Sequence, residues 1–306
     1  WFDIWDLGKG HARLGQKTKQ REEMRVGYDL CVKAGDIHRK AEPSDRIMLA
    51  KIQSNVGEVA MGIGDTYHAN GNHEEALSWY EKAEPPLRES FELHATALGP
   101  MKPLSGWAAG TVAHCMVRLK RFMEARDYLA LALKVECTKD STTPGSVIEL
   151  LDRVISVHQE LGEMRAMGSY VDDLEKCLAD LRDRGWDRRE HDVFALLLQK
   201  VATAVLLADS GSGAMLSPAL RLLREAETNL VLFRGVQLRA GGADLKSETA
   251  TDKNGLDVAP KHFGPRADPA ELLQQVRASI KVLNLGEKAA EKSTDWGGES
   301  SLAVSK

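Results

Sequence analysis

The chain has 306 residues, 43% hydrophobic and 28% charged, enough apolar side chains for a core of useful size. Its net charge of −4 gives no basic excess, which argues against nucleic acid or an anionic membrane surface as partner. Aromatic residues are only 6%, and Leu, Ala, Glu, Lys and Arg are abundant, so helix is favoured over sheet.

Residues 1–43 read as an N-terminal extension with one helix, Lys17–Ala34, which lines up Met24, Tyr28, Cys31 and Val32. The start of that helix is basic (Lys17, Lys19, Arg21). The aromatic cluster Trp1, Phe2, Ile4 and Trp5 either tucks into a groove of this chain or docks on another protein. The chain opens with Trp1 rather than Met, as expected of a trimmed, a processed or an incomplete chain, which leaves an organelle open as well as the cytosol. Gly35 and Pro43 break the chain, Ser44 is the expected cap, and a helix follows towards Asn70 with Ile52, Val56, Val59, Ile63 and Tyr67 on its apolar side.

From Gly57 to Ala83 the chain reads as two helices around a tight turn. Small residues (Ala60, Gly64, Ala76, Ala83) alternate with large ones (Ile63, Tyr67, Leu77, Tyr80), so that two backbones approach closely while bulky side chains fill the holes between them. Gly71 closes the first helix where positive φ is wanted. Pro85 and Pro86 are expected to kink or restart the second. Gly106–Ala132 repeats the pattern, with Ala113, Met116 and Lys120 where Gly64, Tyr67 and Gly71 stood, and Ala76 to Ala125 is 49 residues. A third unit, 148–174, places Ile155, His158, Gly162, Met167, Val171 and Leu174 at the same offsets, 42 residues further on. Residues 181–190 form a charged break, in which Trp186 either covers the neighbouring core or faces a partner. His191–Ala208 is a strongly apolar helix. Ser217 and Pro218 open a helix to about Phe233, the second half of a divergent fourth pair.

Gly64, Tyr67, Gly71, Ala76, Tyr80 and Ala83 stand at the spacing of a tetratricopeptide repeat, and the chain resembles that family over residues 45–180. The 42-residue period and the segment Leu98-Gly99-Pro100 before the second unit resemble the longer repeats of kinesin light chains. The resemblance implies an all-α, right-handed superhelical array of about four antiparallel helix pairs with helical caps. The expected organisation is a repeat domain over 44–235, a flexible loop over 236–268, a capping helix over 269–286 begun by Asp268-Pro269-Ala270-Glu271, and a disordered tail over 287–306, in which Trp296 is a possible docking residue.

No nucleotide loop, nucleophile elbow or HExxH is present, and Gly211-Ser212-Gly213 joins two helices rather than a strand and a helix. The four cysteines are spread out without a CxxC and are expected as free thiols in a reducing compartment, either the cytoplasm or an organelle interior. No unbroken apolar run approaches the roughly 20 residues that span a bilayer. His68 and His73 are five apart across a turn, with His73 assigned a packing position beside Tyr80, so a shared metal is not expected. No metal, cofactor or catalytic residue is therefore assigned.

Such an array offers instead a groove lined by the first helix of each pair. Its expected lining is Glu58, Met61, Asp65 and His68 in the first unit; Trp107, Thr111, His114 and Arg118 in the second; and Asp152, Arg153 and Ser156 in the third. Trp107 is the candidate anchor for a partner segment, or else packs on the loop before it. Asp65, His68, His114, Arg118, Asp152 and Arg153 are the candidate polar contacts. The carboxylate clamp of chaperone-binding members is missing, since only Arg153 agrees with it and Asp65 would repel a carboxylate. The inner asparagines of kinesin light chains are replaced as well. The expected function is a non-catalytic scaffold or assembly subunit of a larger complex, holding a peptide or helix that carries some Lys or Arg. The alternative is a regulatory or enzymatic protein whose repeats enclose a small-molecule pocket.

Overall fold

The structure, a computed structural model, describes residues 1–209, 213–239 and 268–295, with side chains to 232 and 284 in the last two helices. All regular elements among the described residues are helical. They divide into two compact units, one of residues 1–140 with 153–163, the other of 141–152 with the described residues from 164 onward.

The first unit begins with a hairpin that the sequence reading did not contain. Instead of one helix over Lys17–Ala34 there are two, α1 (Phe2–Thr18) and α2 (Arg21–Ala41), separated at Lys19 with φ 57°. They touch through small residues. A Cβ on Gly27 would lie 2.6 Å from the Ala12 nitrogen and 2.7 Å from the Gly8 carbonyl oxygen. Trp1, Ile4 and Trp5 of the aromatic cluster pack into the core beside this hairpin, while Phe2 is exposed. Trp5 is buried with Cys31, Ile52 and Val56, and the Trp1 indole donates to Glu42 at 2.9 Å while packing edge-on against His38.

Next come α3 (Arg46–Ala69) and α4 (His73–Leu98). Asp45, not Ser44, caps α3, accepting from the Met48 amide at 3.0 Å. Gly64 faces Tyr80 so closely that a Cβ would sit 2.5 Å from the ring, and Ala60, Ala76 and Ala83 are buried beside it. Pro85 and Pro86 do not break α4, which runs on through both. The residues around them, Ala83 and Leu87, are fully buried, and that packing holds the backbone helical against the local preference of a Pro-Pro step. The third hairpin is α5 (Pro103–Arg118) with α6 (Phe122–Thr138). Val135 fills the notch left by Gly106, and Ala113, Ala125 and Ala132 are buried.

The turns repeat in detail. Gly71, Lys120 and Gly162 all have positive φ (78°, 58° and 67°). In each turn the following amide reaches back five residues to a carbonyl: Asn72 to Tyr67, Arg121 to Met116, and Glu163 to His158. This is the Schellman closure of a helix, placed three times at the spacing read from the sequence.

Helix α7 (Pro144–Leu161) belongs partly to each unit. The second unit continues with a 3₁₀ turn, Met164–Met167, before α8 (Gly168–Asp183); a short α9 (Trp186–Arg189) lies in the charged break. Next come α10 (His191–Ala208) and α11 (Leu216–Arg239), which pack on each other. By length and composition α10 could cross a membrane, but Phe194, Leu197, Leu198, Val201 and Val205 lie in the protein core. Ser217 is not a cap, because α11 already begins at Leu216. Of the expected loop 236–268, residues 236–239 continue α11, and 240–267 lie outside the described residues. Asp268 caps α12 (Pro269–Asp295) by accepting from the Ala270 amide at 3.0 Å. Leu272, Leu273 and Val276 of α12 are buried, and it packs against α11. Residues 287–295 of the expected disordered tail are helical; Trp296 lies outside the described residues.

Candidate functional site

Helix α5 places Trp107, Thr111, His114 and Arg118 on one stripe, since steps of four, three and four residues return to nearly the same side of a helix. Trp107 is 49% exposed, so a large part of its ring system is open to a partner. Leu104, one turn earlier, and Met101 before it are exposed as well. An apolar patch therefore begins the stripe and a charged end closes it.

The charged end is shared with α3. Arg118 pairs with Asp65 at 3.0 Å, and the Tyr80 hydroxyl donates to the same Asp65 oxygen at 2.9 Å. Burial, reinforced by that bond, pushes the Tyr80 phenol up, so it remains a donor at any ordinary pH. Two of the predicted residues are thus brought together, but as partners of each other. Seven residues before Asp65 on α3, Glu58 faces the same side. Burial raises its carboxyl to about 7. Glu58 is the carboxylate of this face most in need of a cation.

The other predicted residues lie elsewhere. The His68 ring meets His73 edge to face, centroids 5.0 Å apart, and both are exposed at the turn; His73 is therefore not in the packing position beside Tyr80. Asp152 belongs to the second unit, where it pairs with Lys200 at 2.6 Å. Arg153 and His114 belong to the first. Among the described residues no group of three His, Cys, Asp or Glu could hold a metal ion. Cys31, Cys115 and Cys177 are buried free thiols, and burial pushes Cys115 up to about 12, which keeps it protonated and inert.

The second unit has a cleft of about 390 Å³ between α8 and α11, lined by Glu175, Leu178, Arg182, Arg221, Leu222 and Glu225. Its charges satisfy one another: Arg182 grips Glu225 through two bonds of 2.8 Å, and Arg221 reaches Glu175 at 3.4 Å. Bridges of this type recur between second helices of the first unit. Arg39 (α2) holds Glu89 (α4), Arg88 (α4) holds Glu124 (α6), and Arg121 beside α6 holds Glu84 (α4). Sequence reasoning missed both Glu58's uncompensated charge and these bridges. The signal for the bridges was an Arg or Glu on neighbouring turns of each second helix, which carries no information until the helices are stacked.

No protein-family description matches the chain, and no curated protein does either. Among solved structures it is similar to kinesin light chain nearly identical TPR-like repeats from Podosopora anserina, at 19% identity and a TM-score of 0.48, over 74% of this chain and 95% of that one. A singly substituted form of that protein gives 17% identity and a TM-score of 0.48, over 78% and 98%. BtubC from P. vanneervenii gives 15% and 0.34, over 87% and 95%. The fold assignment rests on the helix order, the close-packed small residues and the three repeated turns of the chain itself.

Proposed function

Taking the chain as an array of TPR-like helix hairpins, we propose that it is a non-catalytic scaffold whose first-helix face, α3 with α5, holds a segment of a partner protein in a larger complex. The observation that carries this reading is the exposure of Trp107, with Leu104 and Met101 beside it, on the same helix stripe as Arg118. An exposed Trp that can be covered is the residue type that dominates binding hot spots. Glu58 supplies the polar preference. Among the described residues no cation pairs with its partly buried carboxylate, so a partner Lys or Arg placed beside it offsets the cost of ionising it. In the first unit His114 and Arg153 remain candidate contacts and His68 is a candidate at the turn; Asp152, in the second unit, is a separate candidate.

The test is affinity purification of the tagged chain from its source cells, with quantitative mass spectrometry of wild type and Trp107→Ala. Trp107→Ala should lose a specific partner while keeping its helical circular dichroism. An unchanged set of partners, or loss of helix, contradicts the reading. The small-molecule alternative is less favoured, because the charges around the cleft of the second unit already pair with one another.

A further inference from the structure

The hairpin of α1 and α2 leaves one side uncovered among the described residues of the first unit. Gln16 of α1 and Met24 of α2 turn towards α3, where an added Cβ on Gly62 would lie 3.1 Å and 2.9 Å from their side chains. Two residues are about 200° apart around a helix, so Leu14 on α1 and Val26 on α2 point away from α3. Leu14 is 50% exposed, Leu7, seven residues earlier on the same side, is 54%, and Val26 is exposed as well. A hairpin with no neighbour stacked on one side ordinarily presents polar residues there. The uncovered stripe of α1 reads Asp3, Leu7, Gly10, Leu14, Lys17, all exposed, in steps of four, three, four and three. It is nearly its own reverse, with Gly10 at the centre, a leucine on either side and opposite charges at the two ends. Asp6, which Lys9 meets at 2.6 Å, and Arg13 flank the stripe in the same reversed order. No described atom lies within 4 Å of an added Cβ at Gly10, so the backbone there is open to the approach of another helix.

We propose that this face is a self-association surface, on which α1 of a second copy of the chain packs antiparallel across a two-fold axis at Gly10. Such an axis places residue i of one copy on residue j of the other and j on i, which a stripe that reads alike in both directions satisfies. Leu7 of each copy lies beside Leu14 of the other, Asp3 beside Lys17, and Asp6 beside Arg13, all within one residue of a common register. Val26 of α2 widens the apolar centre. A parallel pairing sets Asp3 on Asp3 and Lys17 on Lys17, and is repelled at both ends. A helix of another protein would have to carry the same order of charge and leucine in reverse; a second copy carries it by construction.

The experiment is sedimentation velocity of the full chain over a concentration series. Wild type should pass from the mass of one chain to twice that mass as concentration rises. Leu7→Glu with Leu14→Glu should stay at the mass of one chain with unchanged circular dichroism, since both side chains are exposed. Gly10→Arg should do the same, and because it meets nothing in its own chain its effect must arise between chains. Asp3→Lys should weaken the dimer by about tenfold, because the two-fold axis counts the lost pair twice. Adding Lys17→Asp to it should restore the dimer, which only an antiparallel copy explains. Trp107→Ala should associate as wild type does, which separates this surface from the first-helix face. A wild type that keeps the mass of one chain at every concentration overturns the proposal. So does a dimer that survives both Gly10→Arg and the leucine variant, or a charge swap that restores nothing.

Discussion

Gly71 and Lys120 hold the same place in two successive hairpins, and both have left-handed backbone, φ 78° and 58°. Glycine takes that conformation without strain, whereas a lysine pays about 1–2 kcal/mol for its Cβ. Lys120 is exposed, so its side chain recovers little of this through packing. Lys120→Gly should therefore raise stability by about 0.5–1 kcal/mol, and Gly71→Lys should lower it by a similar amount. Urea denaturation of the two variants gives both signs in one series.

The Gly27 contact with α1 is backbone against backbone, so neither side can yield by turning a side chain. Gly27→Ala should destabilise by about 1–3 kcal/mol and loosen α1 from α2. Gly10 is the internal control. It sits in α1 with no atom within 4 Å of an added Cβ, so Gly10→Ala should stabilise by about 0.5–1 kcal/mol. Thermal melts, with hydrogen exchange of the α1 amides, report both.

Glu58 sets a pH dependence with a definite sign. Its carboxyl is raised from 4.5 to about 7 in the folded chain, so the unfolded chain releases the proton first as pH rises. Glu58 therefore costs nothing below the unfolded value and progressively opposes folding from about 4.5 to about 7. Glu58→Gln should match wild type at the acid end of that window and exceed it above pH 7. The gain should be on the order of 1 kcal/mol, below the roughly 3 kcal/mol that a shift of this size allows. Melting temperatures of the pair across this range test it; a gap that stays constant with pH contradicts the assignment.

Arg88 binds Glu84 at 2.8 Å, Glu124, and the Tyr128 hydroxyl at 2.9 Å, tying α4 to α6. Those bonds raise the Arg88 guanidinium despite its burial, and with Arg121 they hold Glu124 below the usual carboxylate range. Arg88→Met should cost about 1–3 kcal/mol. Arg88→Lys should recover only a part, because one ammonium cannot serve three acceptors in the geometry of a guanidinium fork. Stability measured in low and high salt separates this network from simple surface charge.

The hairpins from 46 to 138 were legible because close helix packing demands small residues at fixed offsets, and Gly64, Ala76, Ala113 and Ala125 sit in those contacts. The same logic applies to Gly8, Ala12, Gly15 and Gly27, but α1 is rich in charge and buries mostly glycine and alanine, so its apolar period is faint. Pro85 and Pro86 mislead for the opposite reason: local chemistry says stop, and the burial of Ala83 and Leu87 overrules it. At the candidate site, the 49% exposure of Trp107 is a property of the packed hairpin that the sequence does not carry. The pairing of Asp65 with Arg118 could not be read beforehand, because it joins residues that only the stacking of α3 beside α5 brings together.

The scaffold reading is tested most directly by site-specific photocrosslinking in the source cells. A benzophenone amino acid is placed in turn at positions 107, 111 and 123, and the attached peptides are sequenced. The account predicts one partner segment, carrying Lys or Arg, attached at both 107 and 111 on the α5 stripe, and nothing in common at 123, where Met123 is exposed on α6. Attachment of the same segment at 123 as readily as at 107, or none at 107, would contradict it.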